Sequence, residues 1–260
     1  MPQPLPLAVV TGASSGIGSV FARALAARGY TLLLVARRRD RLEELARELN
    51  AEVLAADLTD AADLRRVEAR LRAAGNLELL VNNAGFGISG PFAAADIEGQ
   101  DAMHRLHITA TMRLTQAALV GMVARRKGGV INVSSVAGFL TNPGAISYCA
   151  TKGWINSFTE GLYLELKSAG SPVRVQALCP GFTYSEFHDT AKMDRAKLAP
   201  SSWWLPAERV VADSLAGFDR GRLFVIPGFR YRALVAVLNF IPRSWKRGLL
   251  IRASQRAGRV

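Results

Sequence analysis

The chain has 260 residues, half of them hydrophobic, enough for one large domain with a sizeable core or for two small ones. Two cysteines, Cys149 and Cys179, exclude a disulfide scaffold and suit a reducing, cytoplasmic setting. The formal net charge of +12 is concentrated in the tail: ten basic residues and no acidic one follow Asp219.

Met1 to Pro6 carries three prolines and no positive charge, so no secretory leader is read there. No apolar run approaches the ~20 residues of a membrane-spanning helix. Leu7 to Thr11 is a short apolar run, read as a buried strand. Gly12-Ala13-Ser14-Ser15-Gly16-Ile17-Gly18 follows at once, and a helical pattern runs from Val20 to Arg28, closed by Gly29. Strand, glycine-rich turn and helix form the context in which a backbone approaches a pyrophosphate held at a helix N-terminus. A tight turn without ligand is the plainer reading of the same residues.

Thr31 to Val35 is the second expected strand, and Arg37, Arg38 and Arg39 come directly after Ala36. In a dinucleotide-binding unit an acid at this strand end holds the ribose 2′-hydroxyl of NAD, and an arginine pairs with the 2′-phosphate of NADP. The absence of an acid and the presence of Arg37 point to NADP(H). A solvated helix start is the alternative for the arginines, Arg38 and Arg39 above all. Asp40 to Asn50 is an amphipathic helix. Glu52 to Ala56 is a third strand, ending in Asp57-Leu58, where the carboxylate either accepts from the adenine amino group or caps the helix that starts near Asp60.

Ala61 to Ala74 is helical, and Leu77 to Val81 is a fourth strand ending in Asn82-Asn83-Ala84-Gly85. One long helix is expected from about Glu98 to Arg126. Val130 to Val133 is a fifth strand running into Ser134-Ser135, and the next helix carries Tyr148 and Lys152. Val173 to Leu178 is a sixth strand ending in Pro180-Gly181. Thr183 to Pro206 has poor periodicity and reads as an active-site lid, Glu208 to Phe218 as a helix, and Leu223 to Ile226 as a seventh strand. Strands alternating with helices predict a Rossmann-type α/β fold, a doubly wound parallel sheet of about seven strands with helices on both faces, in a single domain. Ligands of such sheets bind beyond the C-terminal strand ends.

Tyr148 and Lys152 stand four residues apart, on one face of a helix. A nearby ammonium favours the phenolate and draws the phenol toward a usable general acid or base. Taken together, the glycine-rich turn, Asn82-Asn83-Ala84-Gly85, Ser135 and Tyr148-x-x-x-Lys152 resemble the short-chain dehydrogenase/reductase family over about Leu7 to Gly228. The resemblance implies hydride transfer between NADP(H) and a small-molecule carbonyl or alcohol. It implies that Ser135 bonds the substrate oxygen and Tyr148 moves the proton. Lys152 is implied to lower the tyrosine pKa and hold the nicotinamide ribose. Gly12, Ser14, Ser15, Gly16, Ile17, Gly18, Asn83, Ala84, Gly85, Pro180, Gly181 and Ser185 are implied to contact the cofactor, with Ser185 standing where the family usually has threonine. It also implies a homodimer or homotetramer.

One position departs from the family. An asparagine whose backbone carbonyl holds a relay water is replaced by His107, either as a tolerated substitution or as a titrating member of the relay. No metal site is expected from three histidines and no clustered cysteines. Phe86, Phe139, Phe182, Phe187, Trp203 and Trp204 are candidates to line an apolar substrate pocket, or ordinary core. The tail from Phe229 to Val260 is read as a basic, partly apolar extension of the 1–228 catalytic domain. It covers the pocket or a neighbouring subunit, lies on an anionic membrane surface, or presents a solvated basic face. Nucleic-acid binding is not expected without a recognition motif. The other class of function open to these residues is a catalytically silent NADP-binding regulatory or scaffold protein.

Overall fold

The computed structural model describes residues 4–186, 199–241, 247–248 and 251; Phe187, Arg243, Lys246, Arg252, Arg256 and Arg259 lie outside them. Seven parallel strands form one sheet: β1 (Leu7–Thr11), β2 (Thr31–Ala36), β3 (Glu52–Ala55), β4 (Leu77–Asn82), β5 (Gly129–Val133), β6 (Arg174–Leu178) and β7 (Phe224–Val225). Their order is β3-β2-β1-β4-β5-β6-β7, so the direction of winding reverses between β1 and β4. That reversal opens the crevice in which such sheets hold their ligands.

Helices cover both faces. On one lie α1 (Gly16–Ala26), α2 (Arg39–Leu49) and α7 (Ala207–Asp219); on the other lie α3 (Ala61–Ala73), α5 (Thr111–Ala124) and α6 (Ile146–Ser168). Every residue of β1 is buried, as a strand covered on both faces must be. Leu7 and Val9 point to the α3/α5/α6 layer, Ala8 and Val10 to the α1/α2/α7 layer. Burying each Val or Leu in these layers contributes roughly 1.5–3 kcal/mol of transfer free energy.

The expected helix from Glu98 to Arg126 is not continuous. α4 (Ile97–His104) passes into a single wide π turn, Arg105–Ala110, before α5 resumes. Hydrophobic spacing cannot reveal an i→i+5 turn of this length, and such turns gather at functional sites. A last described helix, α8 (Phe229–Phe240), follows β7 directly. Among the described residues no helix is long and apolar enough to cross a membrane.

Candidate active site

The crevice between β1 and β4 begins at Thr11, a buried residue whose hydroxyl organises two strand ends. It donates to the Val81 carbonyl at 3.3 Å and accepts the amides of Asn83 and Ala84 at 3.0 Å each. The Asn83 side chain returns the contact, donating to the carbonyls of Thr11 at 2.9 Å and Gly12 at 3.2 Å. Such proximity needs glycine at position 18, where a Cβ would stand 2.3 Å from the Gly12 oxygen. α1 starts at Gly16, one turn earlier than expected, because packing of Phe21 and Leu25 overrides the poor helix propensity of the glycines. Ser15 precedes the helix without capping it, and no acid stands in the first turn. The first amides are therefore presented to the cleft, a fit for a pyrophosphate.

At the adenosine end of the crevice, Arg37, Arg38 and Asp57 all line the cleft. Arg37 is largely exposed, its Nη1 3.8 Å from Asp57 Oδ2. The guanidinium that lies on the glycine-rich turn is that of Arg38: its Nε and Nη2 are 3.3 and 3.1 Å from Ser14 Oγ, and Nη2 is 2.9 Å from Ser15 Oγ. Arg38 stands just before α2 with extended backbone, which swings its side chain back over the turn. Glu186 clasps Arg38 at 3.0 Å and Arg41 at 2.5 Å, and these bonds hold its carboxyl below the usual range. The cap of α3 is Asp60, which accepts the amides of Ala62 and Asp63, rather than Asp57. Asp57 instead takes the Thr59 amide and hydroxyl at 2.9 and 2.7 Å, and lines the cleft beside Leu58.

Ser135, Tyr148 and Lys152 converge where β5 meets α6. Ser134 turns its hydroxyl away, to the Lys152 carbonyl at 2.9 Å. The Ser135 hydroxyl bonds the Tyr148 phenol, donates to the Pro180 carbonyl at 3.3 Å and accepts the Ala137 amide at 3.1 Å. Lys152 Nζ lies 5.8 Å from the Tyr148 ring centroid and donates to the Val133 carbonyl at 2.8 Å. Burial pushes Tyr148 up to about 12, with the Ser135 bond pulling it back, and pushes Lys152 down to about 8. Burial thus opposes the expected lowering of the phenol by its lysine, whose ammonium points at the Val133 carbonyl.

His107 sits in the π turn and is 1% exposed. Its Nε2 accepts the Phe86 amide at 3.3 Å, which puts the ring proton on Nδ1, 2.9 Å from Thr151 Oγ1. Thr151 passes the bond to the Tyr148 carbonyl at 3.0 Å. Burial and the Lys152 charge hold the imidazole well below its ordinary pKa. A titrating role for His107 does not fit this neutral ring with both nitrogens engaged. The ring instead links the loop after Asn83-Ala84-Gly85 to the helix that carries the tyrosine.

The cleft is continuous, about 820 Å³, from Arg38 at one end to an apolar wall at the other. Phe86, Phe182 and Trp203 line it. Phe139 does not, packing edge-on against Phe224 at 5.9 Å, and Trp204 is core, stacked on Phe182 at 5.3 Å. Ile88, Leu140, Cys149, Tyr231 and Leu234 complete the wall. Ile88 and Leu140 were not singled out from the sequence, since a lone apolar residue carries no mark of which cavity it faces, whereas Tyr231 and Leu234 belong to the tail for which covering the pocket was one expectation. Ser185 lies over Gly16 at the pyrophosphate end, 3.0 Å from where a Cβ there would stand.

Residues 6–196 match the family model for short chain dehydrogenase. An uncharacterized oxidoreductase of Staphylococcus epidermidis is 36% identical over 178 residues, spanning 67% of this chain and 76% of the relative. A short-chain dehydrogenase from Sphingobium yanoikuyae, solved in complex with NADPH, superposes with a TM-score of 0.82 at 37% identity, covering 92% of this chain and 97% of that one. The bulky-bulky ketone specific alcohol dehydrogenase from Comamonas testosteroni gives a TM-score of 0.77 at 34% identity, covering 93% and 96%. With its glycine-rich turn, parallel sheet and Ser-Tyr-Lys cluster, the chain belongs to the short-chain dehydrogenase family of oxidoreductases.

Proposed function

We propose that the protein is an NADP(H)-dependent oxidoreductase that interconverts an apolar ketone or aldehyde with its alcohol, using Tyr148 as the proton donor and acceptor. One observation carries the reading. The Tyr148 phenol, bonded to Ser135, lines a single cleft that also takes in an anion-ready helix N-terminus and an apolar wall.

The residues present fit the cofactor. The amides opening α1, with Ser185 over Gly16, would hold the pyrophosphate, Asp57 and Leu58 the adenine, and Asn83 to Gly85 with Pro180 and Gly181 the nicotinamide half. Arg38 and Arg37 would hold a 2′-phosphate, and the absence of an acid at Ala36 supports NADP over NAD. Bound nicotinamide supplies the hydride that reduction adds to the carbonyl carbon.

The chain's residues do the rest. Ser135 donates to the carbonyl oxygen and orients it. Tyr148, resting in its protonated form, gives its proton to that oxygen as negative charge develops there. The phenolate left behind is stabilised by the Lys152 ammonium. His107 acts as a positioning residue, holding the Phe86 loop against α6. The apolar wall excludes water and favours an uncharged, bulky substrate. The similarity to the bulky-ketone dehydrogenase supports the same size class.

The test is NADPH oxidation against aryl and branched-alkyl ketones, with NADH and Tyr148→Phe run in parallel. NADPH-preferring turnover that falls about 10²–10⁴-fold in Tyr148→Phe is expected. Equal rates in the variant would remove Tyr148 as the acid. NADPH binding with no turnover of any ketone would favour a silent cofactor-binding protein.

A further inference from the structure

We infer that the C-terminal helix α8 is a working wall of the catalytic cleft, with Tyr231 as a positioning residue and Leu234 as the residue that limits substrate size. The inference takes its ligand class from the oxidoreductase reading above.

Tyr231 is 3% exposed, in a region that composition alone paints as a basic surface. Its hydroxyl donates to the Trp203 carbonyl at 2.6 Å and accepts the Phe182 amide at 2.9 Å. Phe182 and Trp203 stand on opposite sides of the long excursion between β6 and α7, so one hydroxyl ties its two arms. The arms also bond each other: the Leu205 amide donates to the Phe182 carbonyl and the Tyr184 amide to the Leu205 carbonyl, each at 3.0 Å. Arg230, next to Tyr231, donates to the Ser202 carbonyl.

The ring has a second task. A Cβ on Gly181 would stand 2.0 Å from Tyr231 Cζ, so the phenol fills the space this glycine leaves empty. Gly181 follows Pro180, whose carbonyl accepts both the Ser135 hydroxyl at 3.3 Å and the Val136 amide at 3.0 Å. Packing therefore runs without a gap from α8 to the serine that orients the substrate. Leu234 is one turn further along α8, on the same face, and lines the cleft. Burial raises the Tyr231 phenol, which keeps it a neutral donor through the physiological range.

Removing the hydroxyl while keeping the ring leaves a part-buried carbonyl and a part-buried amide without their partner, which is felt about tenfold in an equilibrium. The experiment is calorimetric titration of the NADP⁺-saturated protein with a diaryl ketone and with a small methyl ketone, a measurement that needs no turnover. Tyr231→Phe should weaken diaryl ketone binding about tenfold while NADP⁺ affinity stays within twofold. In an active protein the loss falls on KM more than on kcat. Leu234→Trp should weaken the diaryl ketone more than tenfold and leave the methyl ketone within threefold.

Unchanged ketone affinities in both variants would overturn the inference, even if Tyr231→Phe lowers the Tm, since that is all a purely structural tyrosine would do. Wild-type protein that binds neither ketone would overturn it too. Wild-type protein that binds the ketones without reducing them would sink the oxidoreductase reading and leave the wall standing.

Discussion

The two ends of the cleft are built by different means. The cofactor end is main chain: the turns after β1, β2, β3 and β4, brought side by side by strand pairing and stitched by Thr11 and Asn83. The substrate end is side chains from segments that share no strand, including the Phe86 loop, the α6 face, the Phe182 and Trp203 arms and α8. Strand registers set the first end, so its glycine-rich turn and Asn83-Ala84-Gly85 follow from local motifs. The second end depends on contacts between residues far apart, such as Phe182 with Tyr231, 49 positions later. Chemistry common to the family can stay constant at one end while the other is rebuilt around a different substrate.

Lys152 lies at the boundary, and replacing it should have the largest effect. Lys152→Met should lower kcat about 10²–10⁴-fold. It should also stabilise the cofactor-free protein by about 1–3 kcal/mol at neutral pH, because a desolvated charge is removed. The sign follows from burial. The folded lysine titrates near 8, below its value of 10.5 in water, so over that interval the unfolded chain binds more protons. Wild-type stability should rise with pH from about 8 to 9, before Cys149 and Cys179, both raised by burial from 9, reverse it. A melting curve series across pH that shows the rise in wild type and not in Lys152→Met checks both claims.

At the cofactor end, Arg38→Ala should weaken NADPH about 10–100-fold and NADH little, as expected for losing charge-assisted bonds to a phosphate. Arg37→Ala should have the smaller effect. The reverse order in fluorescence titrations would return the main role to Arg37. His107→Asn joins the two ends: a loss of about tenfold in kcat is expected with the pH profile unshifted, because the imidazole is already neutral. A basic or acidic limb that moves would show that the ring titrates during turnover. Glu186→Gln should have the smallest effect, tightening NADPH a few-fold by freeing Arg38 from a competing carboxylate; weaker binding would mean that the carboxylate positions the guanidinium instead of competing for it.

Much of the cofactor end was legible before the fold was known. Glycines at 12, 16 and 18, Asn83-Ala84-Gly85 and Tyr148-x-x-x-Lys152 carry their geometry in their spacing, since each motif is a single turn or one helix face. Which arginine lies on the glycine-rich turn was not legible. It depends on which way the chain turns as it leaves β2, a matter of one backbone conformation. Asp57 and Asp60 were ambiguous for the same reason. The π turn at Arg105–Ala110 left no trace in the hydrophobic pattern, and with it the neutral, doubly bonded state of His107 was hidden.

By itself the sequence determined the order of strands and helices, the run of arginines after β2 and the identity of the Ser-Tyr-Lys cluster. These rest on periodicity and short-range spacing, which the chain states directly. Only the tertiary structure decided that Lys152 points at a carbonyl, that Ser134 turns away while Ser135 meets Tyr148, and that the basic tail begins with a helix whose Tyr231 and Leu234 line the cleft. Those outcomes depend on burial and on contacts between distant segments, and neither is a property of any stretch of chain taken alone.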